Sequence, residues 1–245
     1  MVFHVFYLYG AAMARADAKL VPADPGQAHA APAFYPAFID LTGRRCLVVG
    51  GGPVGTEKAE KLVDAGAEVR LVSPEITDRL AELVTTGAIG EFHRRGYRPA
   101  DLEDCLLVIA ATNEAEVNRQ VWEDGESRRM LVNVVDVPPL CNFIVPSIMR
   151  HGELAVAVST GGASPVVARA VRQRIEVEIG PEWGELVALL RATREELKQR
   201  HLTMPERTAA VERLLTTDIL DRLVDGDRDG ARDLIAEYLG TAVPR

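Results

Sequence analysis

The sequence has only three cysteines, Cys46, Cys105 and Cys141, and no two of them form a Cys-x-x-Cys pair. This scarcity excludes a disulfide-stabilised scaffold and a zinc site built from cysteine pairs. Cys46 and Cys105 lie in apolar segments that we expect to form buried strands. We therefore interpret the cysteines as core residues of a protein in a reducing compartment, so a cytoplasmic location is expected.

An excess of positive charge and a long apolar run are also absent. The formal net charge is −8, which argues against nucleic acid or an anionic membrane surface as the main partner. No apolar stretch is long enough to predict a transmembrane helix. The histidines show no paired spacing typical of metal ligands, so no resident metal is expected; they are His4, His29, His93, His151 and His201.

The first part of the chain has little that predicts a folded structure. Residues 2–14 are apolar and end in Ala-Met-Ala, like the core of a signal peptide, but no Lys or Arg precedes them. Residues 19–32 are rich in Ala and Pro, as flexible linkers are. We expect residues 1–33 to be a disordered extension or the product of a mis-assigned start codon, and not an export signal.

What the sequence does contain is a glycine cluster directly after a short apolar run, in RRCLVVGGGPVG at 44–55. Gly50, Gly52 and Gly55 follow the Gly-x-Gly-x-x-Gly spacing of dinucleotide-binding loops. The first glycine permits the turn, the second lets the backbone approach a pyrophosphate, and the third lets the next helix pack closely. Cys46–Val49 are expected to form the strand and 53–65 the helix, whose N-terminus would bind the phosphates.

The following hundred residues alternate between strand and helix patterns. Strands are expected at 68–72, 91–94, 105–110 and 131–135, with helices at 75–86 and 114–128 between them. This alternation predicts a Rossmann-type, doubly wound parallel sheet of the α/β class. Ligands would bind at the carboxyl ends of the strands, near Gly50, Ser73, Thr112 and Asn133.

The end of the second strand leaves the choice of cofactor open. An NAD site usually has Asp or Glu about 20 residues after the first glycine, where it binds the ribose hydroxyls. Here the strand ends in Leu71-Val72-Ser73-Pro74-Glu75. Ser73 could bind a ribose hydroxyl, but it would not repel the 2′-phosphate of NADP.

The second half changes character after Asp136. Two strands are expected at 141–148 and 153–158, with Arg150 and His151 in the turn between them. A small-residue loop at 159–165 then leads into a helix at 165–179, with Ser164 as its N-cap. Two helical apolar stripes follow, which we interpret as core or dimer packing; they contain Trp183, Leu186, Val187 and Leu190, and Val211, Leu214, Leu215 and Leu223.

Five motifs in this order resemble the precorrin-2 dehydrogenase family, the N-terminal module of sirohaem synthase. They are the glycine loop, Ala-Ala-Thr-Asn at 110–113, Asn-Val-Val-Asp at 133–136, Phe-Ile-Val-Pro-Ser at 143–147, and Ala-Val-Ser-Thr-Gly-Gly-Ala-Ser-Pro at 157–165. The resemblance covers about residues 34 to 225. No segment resembling the methyltransferase module of the fused synthases is expected.

This resemblance implies four parts: the extension at 1–33, an NAD-binding Rossmann domain at 34–142, a small α+β dimerisation segment at 143–179 and a helical C-terminal domain at 180–245. It implies NAD-dependent oxidation of precorrin-2 to sirohydrochlorin, with Fe²⁺ insertion as a further activity of some members. It also implies a homodimer that exchanges the segment after the Rossmann domain, with the tetrapyrrole in the cleft between the parts.

The resemblance assigns the catalytic role to Asp136. A carboxylate there could accept a proton during hydride transfer, stabilise positive charge on the ring, or help remove pyrrole protons during metal insertion. A turn-forming Asp before Pro138 and Pro139 is the alternative interpretation. The expected cofactor-binding residues are Gly50, Gly52, Pro53, Val54, Gly55, Ser73, Thr112, Asn113 and Asn133, of which the last three could instead cap strand ends.

A tetrapyrrole polycarboxylate needs local cations in a chain of net negative charge. Arg169 and Arg172 share a helix face and are candidates for carboxylate recognition, although solvated surface charge also explains them. Thr160 and Ser164 are the expected substrate-binding hydroxyls of the preceding loop. Two other functions remain open: a chain that is mainly a sirohydrochlorin ferrochelatase, and a non-catalytic Rossmann module that senses a dinucleotide.

Overall fold

A computed structural model describes residues 34–199 and 203–240 of the chain. The extension expected at residues 1–33 lies outside the described residues. Within the described part, a parallel sheet comes first, a two-stranded antiparallel sheet with one helix follows, and a group of helices comes last.

Five parallel strands form the main sheet, in the order β3-β2-β1-β4-β5. The order reverses between β1 and β4, so the sheet is doubly wound, as the sequence predicts. Each strand is short, and β1 and β4, which are largely apolar, are buried along almost their whole length. The strands are β1 (Arg45–Val49), β2 (Glu68–Val72), β3 (Glu91–His93), β4 (Leu107–Ala110) and β5 (Leu131–Val134).

Helices cover both faces of this sheet and produce two separate cores. On one face, α1 (Pro53–Asp64) and α2 (Asp78–Thr85) pack against β1 and β2 around Leu71. On the other face, α3 (Ala115–Ser127) and a 3-10 turn at Pro99–Leu102 pack around Val108. This layering is what a doubly wound α/β fold requires, because each sheet face must be buried.

Two element boundaries differ from the prediction for local chemical reasons. Helix α2 begins at Asp78 and not at residue 75, because the Thr77 hydroxyl caps it by accepting a hydrogen bond from the Leu80 amide at 3.3 Å. Strand β4 begins at Leu107 and not at residue 105. The Cys105 thiol lies beside the Asp101 carbonyl oxygen at 3.5 Å, in the turn that precedes the strand.

The prediction of a strand at 141–148 is wrong over most of that range. Residues 141–146 form only an isolated antiparallel bridge, between Cys141 and Asn133, and the Asn142 side chain binds the backbone on either side of the start of β5. Its Oδ1 accepts the Val132 amide at 2.8 Å, and its Nδ2 donates to the Met130 carbonyl oxygen at 2.7 Å. Strand β6 (Ser147–His151) begins only afterwards, so Arg150 and His151 lie in a strand and not in a turn.

Strand β6 pairs with β7 (Leu154–Val158) in an antiparallel hairpin, and α4 (Pro165–Glu178) packs on it. The helices that follow enclose a third core around Leu214 and Ile235, so the helical region is confirmed. They are α5 (Pro181–Gln199), α6 (Met204–Leu214), α7 (Ile219–Val224) and α8 (Arg228–Leu239). Within the described ranges, no helix is both long and apolar enough to span a bilayer.

Candidate functional site

The glycine loop connects β1 to α1 and allows three backbone segments to approach closely. Gly50 has φ +113°, and a Cβ on it would fall within 3.0 Å of the Ala111 carbonyl oxygen. A Cβ on Gly55 would meet the Gly50 carbonyl oxygen equally closely. A Cβ on Gly52, by contrast, would meet nothing within 4 Å. The loop is therefore tightly packed at Gly50 and Gly55, whereas the space around Gly52 is open.

The start of α1 offers backbone donors to this open space. Gly52 is the N-cap and has no side chain to bind the first N–H groups, and Pro53 occupies the first turn. The amides of Val54 and Gly55 have no acceptor within the helix, because the first intrahelical bond runs from the Thr56 amide to the Gly52 carbonyl oxygen at 2.9 Å. Free amides, the helix dipole and an open approach fit the pyrophosphate of a dinucleotide.

Ser73, which directly follows β2, does not have the free hydroxyl that a ribose-binding residue needs. Its side chain is buried, and its hydroxyl donates to the Glu75 carbonyl oxygen at 2.6 Å. The Ser73 amide donates to the His93 carbonyl oxygen at 3.2 Å, which ties the ends of β2 and β3 together. The Ser73 hydroxyl therefore stabilises the turn after β2, and the exposed charged side chain of that turn is Glu75, which the sequence reasoning did not select.

Thr112 and Asn113 follow β4 and have different environments. The Thr112 hydroxyl donates to Asn118 Oδ1 at 2.8 Å, and Asn118 Nδ2 donates to the Thr112 carbonyl oxygen at 2.9 Å. This pair fixes the loop to α3. Asn113 remains exposed at the tip of the loop. Thr112 therefore has the structural role that the capping alternative describes, while Asn113 is free to face a ligand.

Asn133 and Asp136 lie at the end of β5. Asn133 Nδ2 donates to the Phe143 carbonyl oxygen at 3.0 Å, which holds the chain that leaves the sheet. Asp136 has an exposed side chain and φ +60°, a left-handed conformation that non-glycine residues adopt at a cost. The Val137 amide donates to the Val134 carbonyl oxygen at 3.1 Å and closes a turn around it. The turn directs an exposed carboxylate outward beyond the strand.

These loops share one edge of the sheet, where all parallel strands have their carboxyl ends. The glycine loop follows β1, Asn113 follows β4 and Asp136 follows β5, in the order of neighbouring strands. With about 4.8 Å between strands, the ends of β1 and β5 lie about 10 Å apart. A dinucleotide bound where the strand order reverses would have Asp136 on one side and Glu75, after β2, on the other.

The four predicted substrate-binding residues lie in a different layer. The Thr160 hydroxyl accepts the Ser164 amide at 2.9 Å, and the Ser164 hydroxyl accepts the Val167 amide at 3.3 Å. The Ser164 hydroxyl therefore caps α4, and the Thr160 hydroxyl fixes the loop before it. Arg172 forms an ion pair with Glu176, whereas Arg169 is exposed. Because α4 packs mainly on β6 and β7, the single chain does not group these residues with those of the sheet edge.

Fold and loop together define a dinucleotide-binding α/β protein, and family models agree with that class. Residues 37–147 match the model for putative NAD(P)-binding domains, which confirms the expectation that this part of the chain binds a dinucleotide. Residues 151–178 match the model for the central part of sirohaem biosynthesis proteins.

Curated relatives match this chain over most of its length. The siroheme synthase of Pseudomonas fluorescens (strain SBW25) is 42% identical over 211 residues, which is 86% of this chain and 45% of the relative. That of Methylobacillus flagellatus is 43% identical over 204 residues, covering 83% of this chain and 44% of the relative. This chain thus spans less than half of the length of these relatives. It belongs to the sirohaem synthase family, as its motifs predict.

A solved structure matches the fold over most of the chain. The protein described as SirC, precorrin-2 dehydrogenase superposes with a TM-score of 0.70. The match covers 85% of this chain and 100% of the other, with 22% sequence identity. The likeness confirms the predicted fold class, including the segment and the helices that follow the sheet.

Proposed function

We propose that this protein oxidises precorrin-2 to sirohydrochlorin with NAD as the electron acceptor. The observation that carries the proposal is the exposed Asp136 carboxylate, held in a left-handed turn on the same sheet edge as the open glycine loop. A dinucleotide loop alone suits many oxidoreductases and also sensors. The adjacent carboxylate adds a group that can move a proton, and the names of the relatives indicate the substrate.

The reaction removes one hydride and one proton from the macrocycle, and NAD is reduced to NADH. When bound, NAD supplies the hydride acceptor. Gly52 and the first turn of α1 would hold its pyrophosphate. Asp136 would accept the proton at a carboxylate oxygen, as a general base at the ligand edge of the sheet. Asn113, exposed after the neighbouring strand β4, would contact the substrate or the nicotinamide.

The active unit in this proposal is a homodimer. Helix α4 is described in full, and Ala168 is its one buried residue. Val166 and Val177 are 73% and 83% exposed, and three helical turns separate them, so they share a face. Ile148, on the strand beneath, is also exposed. A large exposed apolar surface is typical of an interface, and a second copy of the chain would cover it.

Dimerisation would also complete the substrate site. The hydroxyl loop and Arg169 lie with α4, away from the sheet edge of their own chain. If each protomer extends this segment over its partner, Thr160, Ser164 and Arg169 would approach the partner's cleft. Arg169 has an exposed guanidinium, which suits a substrate carboxylate, whereas Arg172 is already paired with Glu176.

Iron insertion is a further activity that the same cleft would support, with Fe²⁺ as a substrate. Among the side chains that the structure describes, no three from His, Cys, Asp or Glu converge as metal ligands. During Fe²⁺ insertion, the carboxylate of Asp136 would help to remove the pyrrole protons of the substrate. Formation of sirohaem above the spontaneous rate, after Fe²⁺ is added to the product, tests this activity separately.

The test of the dehydrogenase is an anaerobic assay with precorrin-2 and NAD that follows NADH and the sirohydrochlorin spectrum. Asp136→Asn should lower kcat by about 10²- to 10⁴-fold, because asparagine tolerates the left-handed backbone but cannot accept the proton. Asp104→Asn is the matched control. Asp104 is also exposed and has φ +61°, but it precedes β4 and so lies at the opposite edge of the sheet.

Three outcomes decide the proposal. Loss of NADH formation in Asp136→Asn, with activity retained in Asp104→Asn, supports both the reaction and the residue. Full activity in Asp136→Asn would remove the proton-accepting role. If the wild-type protein binds NAD but forms no NADH with precorrin-2, the dehydrogenase proposal fails, and a dinucleotide sensor or a ferrochelatase becomes the better explanation.

A further inference from the structure

The turn after β2 carries a carboxylate where the cofactor's adenosine ribose would lie. In doubly wound folds this position distinguishes NAD from NADP, because a carboxylate binds the ribose 2′-hydroxyl and repels a 2′-phosphate. The first residue of the turn, Ser73, does not do so, since its hydroxyl is buried and bound to the Glu75 carbonyl oxygen. The side chain of Glu75 is exposed.

The backbone of Glu75 is fixed against the glycine loop. A Cβ on Gly51 would fall within 3.0 Å of the Glu75 carbonyl oxygen, so the two backbones are in direct contact. The Thr77 amide donates to the Gly51 carbonyl oxygen at 3.0 Å, and the hydroxyls of Thr77 and Thr56 are 2.8 Å apart. These contacts place the root of the Glu75 side chain beside the loop that would hold the pyrophosphate.

The geometry points to Glu75 as the residue that selects NAD over NADP, and we propose this role for it. The proposal rests on the proposed use of a dinucleotide and adds its specificity. Glu75 accepts hydrogen bonds from the ribose hydroxyls of NAD. The same charge repels the doubly charged 2′-phosphate of NADP, by an amount that corresponds to about tenfold in Kd at a separation of about 6 Å in water.

One cation on this edge of the sheet would have the opposite effect to Glu75 on the choice between NAD and NADP. Arg94 directly follows β3, is exposed, and places its guanidinium 5.5 Å from the centre of the Phe92 ring. An arginine close to the ribose would favour a 2′-phosphate. The contact with Phe92 keeps the guanidinium over β3, whereas the Glu75 backbone touches the glycine loop itself. Glu75 is therefore the charge expected to dominate.

The experiment measures the Kd of NAD and of NADP by calorimetry for the full chain, at about 0.15 M salt, where charges more than about 8 Å apart are largely screened. Wild type should bind NAD at least about tenfold more tightly than NADP. Glu75→Gln should lower the ratio of the Kd of NADP to the Kd of NAD about tenfold, mainly through tighter binding of NADP. Asp78→Asn is the matched control, because it removes an exposed carboxylate three residues away in the first turn of α2.

The outcomes separate this proposal from the function on which it rests. A ratio that changes less than about twofold in Glu75→Gln, while NAD still binds, overturns the role of Glu75 alone. A loss of NADP affinity in Arg94→Gln, with no effect of Glu75→Gln, overturns it in favour of Arg94. If wild type binds neither nucleotide, the proposed function fails as well. Retained NAD binding in each variant shows that the variant is folded.

Discussion

Gly50 lies so close to Ala111 that a Cβ on Gly50 would come within 3.0 Å of the Ala111 carbonyl oxygen. This contact joins the loops after β1 and β4 at the point where the strand order reverses. Gly50 also has φ +113°, which L-residues with side chains rarely adopt. Gly52, two residues later, has φ −77° and open space around the position of a Cβ.

The two glycines should therefore respond differently to alanine. Gly50→Ala should lower the free energy of unfolding by at least about 3 kcal/mol, because strain and a backbone clash add. Gly52→Ala should cost less than about 1 kcal/mol, yet it should raise the Kd of NAD at least about tenfold, because the methyl group occupies the approach of the pyrophosphate. Urea unfolding and calorimetry measure the two effects, and equal stabilities would contradict the close backbone contact at Gly50.

The backbone of Asp136 allows its conformation to be tested apart from its chemistry. At φ +60°, glycine is unstrained, asparagine is tolerated, and alanine should cost about 1 kcal/mol relative to glycine. Urea unfolding of Asp136→Gly, Asp136→Asn and Asp136→Ala should rank their stabilities in that order, with Ala lowest. All three should lose activity alike if the carboxylate is what matters. Equal stability of the Ala and Gly variants would contradict the left-handed turn.

Local rules explain why much of this site is predictable from the sequence. The glycine spacing specifies a turn and a close approach that few other structures need, and the apolar run before it specifies a buried strand. The cap at Ser164 likewise follows from residues adjacent in sequence, and its hydroxyl accepts the Val167 amide as expected. Such features need no knowledge of distant contacts.

Other features depend on contacts between distant parts of the chain, and local patterns do not reveal them. The Ser73 hydroxyl faces inward, which leaves Glu75 as the exposed charged group of its turn. Residues 141–146 look apolar enough for a strand, but Asn142 holds them against the end of α3 and the start of β5 through its side chain. Arg70 is buried in β2 and donates to the Asp101 carbonyl oxygen at 2.6 Å, a pairing across 31 positions.

The proposed homodimer predicts that a charge on the exposed face of α4 will separate the protomers. Val177→Glu should shift the protein from dimer to monomer in light scattering at micromolar concentration, because a carboxylate would be buried in the interface without a partner. Val224→Glu is the matched control, since Val224 is 68% exposed on α7, in the helical region. A wild-type protein that is monomeric at these concentrations would contradict the interface.

The buried ion pair of Asp101 and Arg95 should make stability depend on pH. Asp101 Oδ1 and Oδ2 lie 2.7 and 2.8 Å from the two terminal nitrogens of Arg95, and Oδ2 also accepts the Arg98 amide at 2.8 Å. Burial by itself would raise the pKa of Asp101, but these bonds to the charged form outweigh it and lower the pKa below its ordinary value of 3.8. The pair therefore stabilises the fold fully above that value.

Asp101→Asn should lower the free energy of unfolding at neutral pH by about 2 to 4 kcal/mol, because it weakens a bidentate pair with a carboxylate that is nearly inaccessible to water. Glu82→Gln, which breaks the exposed pair with Arg79, should cost less than about 1 kcal/mol. The difference between wild type and Asp101→Asn should shrink as the pH falls through the lowered pKa of Asp101, because the wild-type carboxylate then becomes protonated too. Urea unfolding across this acidic range measures the difference, and a constant value would show that Asp101 stabilises the fold by its packing and not by its charge.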